Sequence, residues 1–76
     1  MNIDEVLKLI KEEYERANTL YPPFHSNHEA YAVILEELDE VWDEIKKSKD
    51  VRGNERIRTE LIQVGAIVVK YLENLC

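Results

Sequence analysis

Two stretches decide the reading of this chain: ILEELDEVWDEI, residues 34–45, and ELIQVGAIVVK, residues 60–70. Each repeats apolar residues at intervals of three and four, the period of an amphipathic helix, and each sets a carboxylate inside its own apolar stripe. With Val33 at zero on a helical wheel of about 100° per residue, Ala30, Val33, Ile34, Leu38, Val41, Trp42 and Ile45 fill a continuous arc. Glu37 falls inside that arc at about 40°, and Glu36, Glu40 and Glu44 border it. In the second stretch Glu60 lies between Ile67 and Tyr71, each about 20° away.

A charge in an apolar stripe is costly unless something compensates it. If the two faces pack together, Glu36, Glu37, Glu40 and Glu60 converge, and protonation, basic partners or a bound cation must offset their repulsion. Hard divalent cations take oxygen ligands. Mg²⁺ in particular uses one or two carboxylates, keeps waters and completes its shell with substrate phosphates. Mg²⁺, or Mn²⁺ in its place, is therefore the expected cofactor. A plain helical bundle, with these glutamates paired to Lys or Arg across an interface, is the reading without a metal.

Outward from these stretches, the chain reads as three helices in a single domain spanning residues 1–76. The first is expected over about residues 2–18, capped by Asn2 with Glu5 three residues on; its charged face, Lys8, Lys11, Glu12, Glu15 and Arg16, is read as solvated. TLYPPFHSN, residues 19–27, breaks it, because Pro22 pushes Tyr21 extended and the double proline stiffens the turn. Ser26 with Glu29 is a capping box for a second helix over about Asn27 to Lys47. KKSKDVRGN, residues 46–54, is read as a linker in which Gly53 and Asn54 break the chain before a third helix running to near Asn74. Gly65 in the middle of that helix predicts a close helix crossing. The apolar arc of the second helix, widened by Tyr31 and Leu35, reaches about 200°, too wide for one neighbour, and predicts a homodimer or homotetramer.

Composition narrows the function classes. The formal net charge is −6. That argues against DNA or RNA as a partner, since affinity for a nucleic-acid backbone comes from Lys and Arg. A nucleotide held through a metal is compatible with an acidic site. No long apolar run predicts a membrane span. A single cysteine, Cys76, forms no intrachain disulfide, and the absence of a recognisable leader leads to an expected cytoplasmic location.

EELDE, Glu36 to Glu40, followed by a helix opening at Glu60, resembles the EExxE and ExxD signature of the MazG-like all-α nucleoside triphosphate pyrophosphohydrolases. HEAYAVILEELDEVWDEIK and ELIQVGAIVVKYLE are similar to the short, phage-type branch of that group, and the likeness covers about residues 24–73. The resemblance implies an all-α bundle of paired subunits and hydrolysis of an NTP or dNTP to the monophosphate and pyrophosphate. Glu36, Glu37, Glu40 and Glu60 would bind Mg²⁺, with Glu37 and Glu40 at the chemistry. His28, Tyr31, Trp42, Gln63 and Lys70 are the candidate substrate-binding residues, with Arg52 and Arg56 as further basic candidates for the phosphates. Where the family's second motif ends in Asp, this chain has Gln63, a neutral oxygen donor. The chain also ends at Cys76 without the basic and amide-bearing further helix of active members. These two departures support an alternative expectation, a non-catalytic module that binds nucleotide or a protein partner.

Overall fold

A computed structural model describes residues 1–47 and 51–76, with backbone alone for 51–53. Helix α1 is Ile3–Asn18, α2 is Asn27–Lys47 and α3 is Val51–Leu75, and there is no strand among the described residues. The all-α expectation holds. No helix among them is long and apolar enough to cross a membrane.

Both expected caps form. The Asn2 side-chain oxygen accepts from the Glu5 backbone N–H at 2.9 Å, while its amide donates to Glu5 Oε1 at 3.0 Å. Ser26 Oγ accepts from the Glu29 backbone N–H at 3.1 Å. These bonds satisfy backbone donors that a helix start leaves without an intrahelical partner. At the other end of α1 the N–H groups of Leu20 and Tyr21 both turn back to the Ala17 carbonyl, at 3.0 and 2.9 Å, before the two prolines end the helix.

One boundary differs from expectation. Helix α3 begins at Val51, so Gly53 and Asn54 lie inside it rather than breaking the chain before it. A glycine in a helix costs only about 1 kcal/mol relative to alanine, and no proline here blocks extension by further turns. Lys49 lies outside the described residues, as does the side chain of Arg52.

Helix α3 is the centre of the fold, packed by α2 along one side and α1 along another, while α1 and α2 do not pack on each other. The α2–α3 pair runs antiparallel: Arg56 Nε lies 3.7 Å from Glu44 at one end, and Tyr71 donates its hydroxyl to Asn27 Oδ1 at 2.8 Å near the other. The α1–α3 contact is close at Gly65, where an added Cβ would come within 2.9 Å of Ile10 Cδ1 and 3.1 Å of Ile10 Cγ1. The crossing that Gly65 predicts is thus present.

Burial is thin. Among the described residues, Phe24, Ala30, Val41 and Ala66 are the buried apolar ones, and no large side chain is fully enclosed. Only part of the wide α2 arc is covered by α3. Tyr31, Leu35, Leu38, Trp42 and Ile45, spaced four, three, four and three apart, stand exposed, as do Leu61, Val68 and Leu72 of α3. The chain presents 5729 Å² of surface. A compact monomer of its mass would present about 4,850 Å².

Candidate metal centre and ligand cleft

Because α1 and α2 stand apart on α3, a cleft of about 470 Å³ opens between them. Its floor is Gln63, Ala66, Ile67 and Lys70 of α3. One wall is Glu29, Val33, Glu36 and Glu37 of α2; the other is Glu13, Tyr14, Arg16 and Ala17 of α1. Tyr21, Pro22 and Phe24 of the proline-stiffened turn also line it.

At the Glu37 end the two apolar-stripe carboxylates meet as the sequence predicts. One carboxylate oxygen each from Glu37, Glu40 and Glu60 lie within 4.8 Å of one another. Glu37 and Glu60 are partly buried and Glu40 is exposed. Three carboxylates this close disfavour one another's ionisation. The Glu37 carboxyl is pushed from its ordinary 4.5 up to about 7, first by desolvation and then by Glu40, with Glu60 and Glu13 adding to it. Glu60 is raised too, by desolvation and by its hydrogen bond with Glu40. With the Gln63 amide oriented by its surroundings, its nitrogen donates to Glu37 Oε2 and Glu60 Oε2, each at 3.1 Å. Gln63 thus ties the two helices together at the carboxylates.

Of the expected metal set, Glu36 is the one left out of the close group; it is exposed and lines the cleft from α2. Glu44, at the border of the same arc, meets Arg56 instead. Among the substrate candidates, Gln63 and Lys70 line the cleft. His28, Tyr31 and Trp42 do not: all three are exposed, Tyr31 at 65% and Trp42 at 56%. Tyr31 and Trp42 are more than 100° around α2 from Glu37, on the uncovered stripe. The side chain of Trp42 carries the Lys46 ammonium 5.8 Å from its ring centroid.

Sequence reasoning placed α1 but missed its part in the site. Glu13 faces Glu37 closely enough to raise its pKa, and it pairs with Arg16 beside the cleft. The signal was there to read: Val6, Ile10, Glu13 and Ala17 follow one another at four, three and four residues, so a third carboxylate stands in an apolar stripe. Tyr14, whose hydroxyl is raised in pKa by its hydrogen bond to Glu73, belongs to the same wall.

The donor set suits a hard cation: three carboxylates, all oxygen, from two helices, with no His or Cys among them. The desolvation of Glu37 and the repulsion from its neighbours, which together raise its pKa, are what a divalent cation would offset. No protein-family model, curated protein or solved structure matches the chain, so this geometry stands on its own residues.

Proposed function

We propose that the chain is a Mg²⁺-dependent nucleoside triphosphate pyrophosphohydrolase that turns an NTP or dNTP into the monophosphate and pyrophosphate. The observation that carries this reading is the convergence of Glu37, Glu40 and Glu60 within 4.8 Å, with Glu37 also lining a cleft of about 470 Å³. Glu37, Glu40 and Glu60 would hold the cation, with Glu36 within the same wall of the cleft. When bound there, Mg²⁺ supplies Lewis-acid polarisation and offsets charge on phosphate oxygens. Gln63 keeps Glu37 and Glu60 in register through its two hydrogen bonds. A carboxylate oxygen of Glu37 or Glu40 not engaged by the cation accepts the proton of the attacking water. Lys70 supplies positive charge on the floor of the cleft for the phosphates, whereas Arg16 is already paired with Glu13. The test is pyrophosphate release from nucleoside triphosphates with Mg²⁺, expected in the native chain and lost in Glu37→Gln and Glu60→Gln.

A second reading, a nucleotide-binding module without turnover, is favoured by one observation. The Gln63 amide donates to both Glu37 and Glu60, occupying an oxygen of each where the resembled family has a further carboxylate. Turnover that appears or rises strongly in Gln63→Asp supports it; turnover already present and unchanged in that variant removes it.

The uncovered stripes support self-association as part of the same proposal. The surface excess over a compact monomer is about 900 Å², close to the roughly 800 Å² that each partner contributes to a standard interface. Tyr31, Leu35, Leu38, Trp42 and Ile45 repeat at the four-three spacing of a helix–helix seam, so a second copy of the chain is the occupant that fits, as homodimer or as paired dimers.

A further inference from the structure

Lys70 is the buried charged residue among those described, only 7% exposed, and it lies on the floor of the cleft. It takes part in no ion pair or hydrogen bond with the described residues. Its ammonium sits instead over the Phe24 ring, 4.6 Å from the centroid. Among the described residues no fully enclosed side-chain nitrogen or oxygen lacks a hydrogen-bond partner, so the unbonded Lys70 ammonium keeps some exposure, and Lys70 lines the cleft.

Phe24 is itself firmly held. Its backbone N–H donates to Asn74 Oδ1 at 2.8 Å, its ring meets Tyr71 edge-on at 6.4 Å and 71°, and the two prolines before it stiffen the approach. The Tyr71 hydroxyl is in turn bonded to Asn27. The choice of partner matters chemically. A carboxylate would neutralise the lysine and occupy its donors, whereas an aromatic face attracts the cation and leaves its charge and N–H groups for a ligand. Seven residues along α3 separate Lys70 from Gln63, about 10 Å of helix rise, so the cation stands well along the cleft from the Glu37 and Glu60 carboxylates that Gln63 bonds.

We propose that Phe24 is a positioning residue that holds the Lys70 ammonium as the anchor for the phosphate lying farthest from the carboxylates. The role rests on the metal-dependent nucleotide reading above. Without the ring, the flexible lysine stem is free to swing toward the cleft carboxylates Glu29 and Glu36, and the anchor is lost.

The probe is inorganic tripolyphosphate with Mg²⁺, titrated calorimetrically well below melting into the native chain and four variants. Lys70→Met weakens binding about tenfold and Phe24→Leu about three- to tenfold, while Phe24→Tyr, which keeps the ring, stays within about twofold of native. The combined Phe24→Leu, Lys70→Met variant is no weaker than Lys70→Met alone, because both remove one contact. Should Phe24→Leu not fold, Asn74→Ala, which removes the acceptor of the Phe24 N–H, carries the same expectation. Mg²⁺-dependent binding that is abolished by Glu37→Gln yet indifferent to Lys70→Met overturns the anchor and leaves the metal reading intact. Equal weakening in Phe24→Leu and Phe24→Tyr, or additivity in the combined variant, overturns the positioning role. A native chain whose melting does not respond to Mg²⁺ at all overturns the metal reading and the anchor with it.

Discussion

Replacing Glu37 by Gln removes one charge from the carboxylate group without removing its volume, and its effect changes sign with conditions. In the folded chain the Glu37 carboxyl titrates at about 7 against an ordinary 4.5. A raised carboxylate pKa means that the folded state holds its proton more tightly than the unfolded one. The associated stability is complete below about pH 4.5 and is lost as pH rises through about 7. Before solvent screening, that shift corresponds to about 3 kcal/mol at pH 8. The site is open to water, and screening reduces the figure to about 1 kcal/mol. For a domain of this size that is roughly 4–8 °C in melting temperature. Glu37→Gln should therefore melt a few degrees above the native chain in EDTA at pH 8 and alongside it at pH 5, where the native carboxyl is already protonated. In millimolar Mg²⁺ at pH 8 the order narrows or reverses, because only the native chain gains from the cation. Circular-dichroism melts of both proteins across this matrix check it. A variant that melts at or below the native chain in EDTA at pH 8 would falsify the claim that these carboxylates are crowded without a counter-charge.

Further expectations follow from the same geometry. Gln63→Asp exchanges an amide donor for a fourth carboxylate, so the metal-free chain loses about 1 kcal/mol or more at pH 8 while its stabilisation by Mg²⁺ grows, both read by melting. Gly65→Ala should be close to neutral, since a helix-propensity gain of about 1 kcal/mol is offset by the shift forced on Ile10; Gly65→Val should cost about 1–3 kcal/mol in urea unfolding. Charging the exposed α2 stripe with Leu38→Glu and Trp42→Glu should give a monomer in sedimentation analysis and abolish any rise of melting temperature with protein concentration.

How much of this was legible beforehand depends on the kind of signal each residue carries. Asn2 with Glu5 and Ser26 with Glu29 are local signals, and local chemistry sufficed to place both helix starts. The inward positions of Glu37 and Glu60 followed from periodicity, since a carboxylate in an apolar stripe has nowhere else to go once the stripe packs. Gly53 misled because a glycine is a weak helix breaker when nothing else stops the chain. Glu13 carried the same stripe signal as Glu37, but only the charged face of α1 was weighed, as an ordinary solvated face, until the separation of α1 from α2 made the helix a cleft wall. The seat of Lys70 on Phe24 was illegible: residues 46 positions apart in sequence meet only through the antiparallel return of α3, and no spacing rule joins them. The 200° arc of α2 foretold surface beyond the reach of one neighbour, but which part α3 would cover, and hence that Tyr31 and Trp42 would fall outside the cleft, required the packed helices.

The most direct test of the central claim is a melt of the native chain in EDTA and in millimolar Mg²⁺ at pH 8, with and without nucleoside triphosphates, with pyrophosphate measured in the same samples. The account predicts a Mg²⁺-dependent rise in melting temperature that Glu37→Gln and Glu60→Gln both lose, accompanied by pyrophosphate release from the native chain. Identical melting in EDTA and Mg²⁺ would contradict it and leave the three glutamates a purely architectural role.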